Sequence, residues 1–75
     1  MFETELQFFI DHQDELVAQY PDQTLVLRGN KVVDVRSTLM EAYLAALEEY
    51  EPGTFMLQHC IAGPEAYTVI IHHHI

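Results

Sequence analysis

Large apolar residues recur at helical spacing in the first part of the chain. They form one stripe along residues 4–20, and Pro21 ends the run. Thr4 and Gln7 have the spacing of a capping box, in which two side chains satisfy the free N–H groups of a helix start. The stripe skips one turn at Gln13, and the intervening residues are mostly polar. The pattern predicts a single helix over residues 4–20 with one wet face.

The same periodicity returns in residues 38–50 and predicts a second helix. Thr38 and Glu41 fit a second capping box, and Pro52-Gly53 terminates the segment. Apolar residues at helical spacing are typical of the face that packs on a core. The predicted buried stripe consists of Leu39, Met40, Tyr43, Leu44, Leu47 and Tyr50.

Two apolar runs flank Gly29-Asn30 in the segment TLVLRGNKVVDV. Glycine and asparagine tolerate the positive φ of tight turns, so the segment predicts a β-hairpin. Neither arm alternates cleanly, because residues 25–27 are all apolar and Val32 is followed by Val33. Strands that are apolar on both faces need cover on both faces. With only two helices predicted, we expect the second cover to come from another subunit.

The last segment predicts a second hairpin, in which TFMLQHCI and YTVIIHHHI flank a five-residue loop with Gly63. If Ile61 faces Tyr67, the odd positions share one face. Seven of the nine odd positions are apolar, which marks that face as the core side. The even positions make a mixed surface that suits solvent or a partner.

These elements predict an α+β fold in the order α-β-β-α-β-β, as one domain over residues 1–75. Four strands form an antiparallel sheet, and both helices pack on one face of it. The other face is then the surface for a homodimer or a protein partner. The predicted interface residues are Val26, Val33, Met56, Cys60, Ile70, His72 and His74.

Length and composition favour self-association. Hydrophobic residues make up 49% of the 75 residues, which is typical of a globular chain. A chain this short buries only about 60% of its unfolded surface. Its single cysteine, Cys60, allows neither an internal disulfide nor a cysteine-based zinc cage. We therefore expect a homodimer to supply the missing stability.

The charge limits the range of partners. Twelve acidic and three basic residues give a formal net charge of −9, which repels polyanions, so we expect no nucleic-acid partner. The N-terminus lacks the basic region of a secretory signal, and no apolar run approaches the roughly 18 residues of a membrane span. We expect a cytoplasmic protein without a membrane anchor.

The run His72 to His74 admits three interpretations: a metal site, a purification remnant or the end of a strand. Ile75 continues the apolar alternation, so we favour a native strand. His72 and His74 share a face and chelate weakly as a pair, but a metal site needs three or four converging ligands. A transition-metal site with His72 and His74 from each of two chains remains open. No other cofactor is expected.

No catalytic motif stands out, and we expect no enzyme. His59 and Cys60 are adjacent, so on a strand their side chains point to opposite faces and do not form a nucleophile and base pair. Neither a phosphate-binding glycine loop nor a serine elbow is present in the sequence.

The first hairpin and its neighbours follow a wider pattern: a tyrosine, an apolar strand, a glycine turn, a Val-Val strand and a helix opened by Ser or Thr. Tyr20, Gly29, Val32, Val33 and Thr38 match it. Residues 16–44 thus resemble a family of small prokaryotic domains of unknown function. The chain departs from the family at residues 21–22, where a Gly-Lys pair is common. The resemblance implies a fold and no activity.

The sequence thus favours a non-enzymatic homodimeric module for protein interaction or regulation. The alternative is a small metal-binding or ligand-binding protein that uses His72 and His74 at a subunit interface.

Overall fold

The secondary structure alternates short helices with an antiparallel sheet. The structure is a computed structural model, and it describes residues 2–67. In chain order its elements are α1 (Glu3–Asp11), α2 (Gln13–Gln19), β1 (Thr24–Arg28), β2 (Lys31–Arg36), α3 (Leu39–Glu49) and β3 (Met56–His59). Within residues 2–67 no helix is long and apolar enough to cross a membrane.

Within residues 2–67 the sheet has three strands, in the order β2-β1-β3, and not the predicted four. Both pairings are antiparallel, and β1 is the central strand. The predicted partner of β3 should begin at Tyr67, but residues 65–67 are helical. Gly63 has φ of +85°, and the Ala66 N–H donates to the Gly63 carbonyl, so the chain turns into a helix after β3. The rest of the predicted fourth strand, from residue 68 on, lies outside the described residues.

Helices cover both faces of the sheet, which corrects the prediction that they share one face. On one face, α1 and α2 bring Phe9 and Leu16 against Leu25 and Leu27. On the other, Ala42 and Ala46 of α3 pack with Val26 and Phe55. Both apolar faces of β1 are therefore covered by helices of the same chain. The expectation that a second subunit covers the sheet loses its basis.

A β-bulge explains the consecutive valines of β2. Leu27 pairs with Val32 and Val26 pairs with Asp34, so Val33 is the extra residue. Val32 and Val35 pack on the α1 and α2 side, while Val33 packs on the α3 side. In a regular strand, residues 32 and 35 would point to opposite faces. The extra residue restores both to the same core.

The predicted first helix is two helices, broken at His12, whose φ of −118° and ψ of 16° are not helical. Beside the break, the Gln13 side-chain amide donates to the carbonyls of Ile61 at 2.9 Å and Gly63 at 2.8 Å. The residue that interrupts the apolar stripe thus anchors the helix pair to the segment after β3.

The two predicted capping boxes have different outcomes. α1 begins at Glu3, before Thr4, and no side chain among the described residues caps it. Gln7 donates instead to the Asp11 carboxylate at 2.8 Å. At α3 the prediction for Thr38 is confirmed, because its hydroxyl accepts a hydrogen bond from the Glu41 N–H at 3.1 Å.

Candidate interaction surface

The outer face of α3 carries large apolar side chains that the fold leaves in solvent. Leu39 is 61% exposed, Met40 64%, Tyr43 43% and Leu44 55%. We call these four residues the α3 patch. At about 100° per residue, they are neighbours along one side of the helix. The half-buried Leu47 continues the same side toward the sheet.

Small residues explain why this side of α3 faces outward. Ala42 is fully buried and Ala46 is 2% exposed, and both contact the sheet through Val26 and Phe55. An alanine lets a helix backbone approach the sheet closely, whereas a leucine at the same place needs more room. The four residues of the α3 patch were predicted to belong to the buried stripe, and the structure corrects the prediction for these four. The other two members of that stripe, Leu47 and Tyr50, do pack against the core.

A signal for the exposed patch is present in the sequence. Eight of the nine residues from 39 to 47 are apolar, the exception being Glu41. A helix that is apolar nearly all round is covered on more than one side. α3 packs on the sheet through Ala42 and Ala46, with the half-buried Leu47 beside them. Its remaining apolar side has no cover among the described residues.

Charged residues border the α3 patch. Leu44 lines an open groove between α3 and β2 together with Arg36, Glu41 and Glu48. The Arg36 Nε donates to the Asp34 carboxylate at 2.9 Å, and half of the Arg36 side chain is exposed. Arg36, the last residue of β2, therefore places a cation beside a helix whose charged residues are all glutamates.

Of the residues predicted to form the interface, four lie within residues 2–67, and two of these are buried. Val26 and Cys60 are fully buried, in the cores beneath α3 and beneath α1 and α2 respectively. Their side chains are unavailable to a second chain, because both faces of the sheet are covered. Val33 and Met56 are half-buried. The other three predicted interface residues, Ile70, His72 and His74, lie outside the described residues.

In the last segment, the odd positions were predicted to face the core and the even positions to face solvent or a partner. Around residue 59 the structure shows the reverse. Gln58 and Cys60, at even positions, are fully buried, whereas His59, predicted to face the core, is 52% exposed. The His59 Nε2 lies 2.7 Å from an Asp22 carboxylate oxygen. Burial raises the pKa of the Cys60 thiol above its ordinary value. An exposed histidine beside a buried thiol does not make a catalytic pair.

The predicted metal ligands His72 and His74 lie outside the described residues. Among residues 2–67 no group of three or more histidine, cysteine, aspartate or glutamate side chains is placed to hold a metal ion. This part of the chain therefore adds no ligand set to the predicted pair.

Comparison with known proteins indicates neither a family nor a function for this chain. No protein-family model, no curated protein and no solved structure matches the chain. The resemblance of residues 16–44 to small prokaryotic domains of unknown function remains a prediction.

Proposed function

We propose that this chain is a non-enzymatic interaction module that forms a homodimer through the α3 patch. One observation carries the proposal. The helix buries Ala42 and Ala46 and leaves Leu39, Met40, Tyr43 and Leu44 between 43% and 64% exposed. Contiguous apolar patches of this kind on a small protein are typical of binding surfaces. The proposed interface thus moves from the face of the sheet to the outer face of α3.

The size of the patch supports a dimer. Four large side chains that are each about half exposed present an apolar patch of roughly 400 Å². Two copies of the patch then bring together roughly 800 Å² of apolar surface. A standard interface buries about 1,600 Å² in total, of which about 60% is apolar. The α3 patch is large enough to be the apolar centre of such an interface.

A second copy is the occupant that the chain favours. With 75 residues and one cysteine, it has a small core and no internal disulfide to stabilise it. A two-fold interface needs one surface that is complementary to itself, and a straight apolar helix face meets that requirement. Burial of the patch would remove from water the largest exposed apolar side chains of the described residues.

The test is the native mass of the untagged protein at low micromolar concentration, measured by light scattering. We expect twice the 8.7 kDa of one chain. A Met40→Glu variant should be a monomer with an unchanged circular dichroism spectrum, because it places a charge inside the patch. Residue 40 lies in the first turn of α3, where a glutamate favours the helix itself.

Ala18→Glu is the matched control. It adds the same charge at an exposed position of α2, on the opposite side of the sheet, and should remain a dimer. A monomeric wild-type chain, or a Met40→Glu variant that still dimerises, would overturn the proposal. The measurement is repeated with EDTA, and loss of the dimer there would assign the contact to a metal site shared through His72 and His74.

A further inference from the structure

β2 lies at one edge of the sheet, where no other strand of residues 2–67 pairs with it. The outer backbone groups of an edge strand are a template for a strand from another chain. We infer that the Asp34 side chain closes this edge, and that without it a second copy of the chain adds its own β2 there. The inference is independent of the α3 patch, because it concerns the backbone of the sheet.

The alternation of backbone directions determines which residues of β2 point outward. The residues at the two ends of a two-residue hairpin turn exchange backbone hydrogen bonds, and so does every second residue of β1 counted back from the turn. Val26 is such a residue, and it pairs with Asp34. The backbone of Asp34 thus faces β1, and that of Val35, the next residue, faces away from the sheet. The opposite set of β1 residues should face β3, and the Cys60 N–H indeed donates to the Gln23 carbonyl at 2.7 Å.

The Asp34 carboxylate occupies the outward N–H of Val35. Its Oδ1 accepts a hydrogen bond from this N–H at 2.8 Å, and its Oδ2 accepts one from the Arg36 Nε at 2.9 Å. A strand added at this edge would need the same N–H for its own carbonyl. It would have to displace a charged acceptor, and hydrogen bonds to charged groups are the stronger kind. The arginine holds the carboxylate in place on its other side.

A second β2 is the strand that suits the opened edge. Three of the six residues of β2 are valines, a residue type that is favoured in strands. A two-fold axis beside the edge pairs β2 with β2 of a second copy in antiparallel orientation and joins two three-stranded sheets into one. The bulge at Val33 leaves residues 34–36 as the regular end of this edge. One side chain at Asp34 is therefore enough to close it.

The test is the native mass of Asp34→Ala and Asp34→Asn, measured by light scattering at high micromolar concentration. Both substitutions remove one negative charge and the ion pair with Arg36, but only asparagine keeps an oxygen that accepts the Val35 N–H. Asp34→Ala should therefore associate beyond its parent chain, whereas Asp34→Asn should keep the mass of the parent. An unchanged mass for Asp34→Ala, or equal association of both variants, would overturn the inference.

The Met40→Glu background separates this inference from the proposed homodimer. If the α3 patch forms the dimer, Asp34→Ala alone should give assemblies larger than a dimer, because each chain then has two different two-fold interfaces. Asp34→Ala combined with Met40→Glu should stop at a dimer. If the wild-type chain is a monomer, the homodimer through the α3 patch fails, and Asp34→Ala alone should still form a dimer.

Hydrogen exchange in the wild-type chain covers the case in which Asp34→Ala impairs folding, which circular dichroism would show. Val32 follows the turn residue pair by the same alternation and also faces outward, but no described side chain accepts its N–H. The Val35 amide, bonded to Asp34, should exchange about tenfold more slowly than the Val32 amide, each relative to its rate in an unfolded chain. Equal protection of the two amides would show that Asp34 does not close the edge.

Discussion

Cys60 shows how the fold determines the chemistry of a single residue. Its side chain is fully buried among Phe9, Leu16 and Leu25, and that burial raises the pKa of the thiol. A thiol is reactive as its thiolate, so the same residue is nucleophilic when exposed and inert when buried. Cys60 therefore acts in this chain as a small apolar side chain of the core.

We expect the Cys60 thiol to react with a chromogenic disulfide reagent far more slowly in the native chain than in urea, measured by absorbance at pH 8. Burial both blocks the reagent and keeps the thiol protonated. Because the folded pKa lies above the unfolded one, unfolding releases a proton once the pH exceeds about 8.5. The contribution of Cys60 to the free energy of unfolding should then fall as the pH rises, and a Cys60→Ala variant should lack this fall. Native labelling at the unfolded rate would contradict the expectation.

At the scale of elements, the first hairpin depends on one backbone conformation. Gly29 has φ of +60° and Asn30 does not have a positive φ, which is the pattern of a type II′ turn. The Gly29 N–H donates to the Glu5 carboxylate at 2.7 Å, so the turn is also tied to α1. The turn thus links the sheet to the helix layer that covers it.

A Gly29→Ala substitution should lower the free energy of unfolding by about 1–2 kcal/mol, because an L-residue disfavours positive φ. No described atom lies within 4 Å of an added Cβ, so the cost is conformational and not steric. Urea denaturation followed by circular dichroism gives the value. Asn30→Ala, at the adjacent turn position, is the control and should change it by less than about 0.5 kcal/mol. Equal effects at the two positions would contradict the argument.

At the scale of the whole molecule, the charge opposes the dimer and the apolar patch favours it. Each chain has a formal charge of −9, and two copies therefore repel each other. Apolar contact through the α3 patch must therefore supply most of the affinity.

The dimer should accordingly tighten several-fold when sodium chloride is raised from about 0.1 M to about 1 M, because the screening length falls from about 10 Å to about 3 Å. Sedimentation equilibrium at both concentrations measures the dissociation constant. The Met40→Glu variant should stay monomeric at both, which would exclude non-specific association by salt. A dimer that weakens in high salt would indicate that charge, and not the patch, holds it together.

Features that depend on neighbouring residues were predictable from the sequence, and features that depend on distant contacts were not. The cap at Thr38 and the turn at Gly29 follow from local chemistry, so the sequence was enough to predict them. The break at His12 was not predictable, because Gln13 anchors the helix to carbonyls almost fifty residues away. The burial of two predicted interface residues was missed for a similar reason. An apolar pattern shows that Val26 and Cys60 avoid water, but not which part of the chain covers them.

The sequence by itself determined the local elements up to residue 59: helical segments, one tight hairpin and one further strand. The spacing of apolar residues and the turn residues act over a few positions, so these elements can be predicted without knowing the fold. Only the tertiary structure decided that helices cover both faces of the sheet, that Val33 bulges and that residues 65–67 are helical. It also decided that α3 packs through Ala42 and Ala46 and exposes Leu39 and Leu44, because the closeness of helix and sheet depends on both surfaces together. For this reason the candidate interaction surface emerged from the structure, although every residue in it was already known to be apolar.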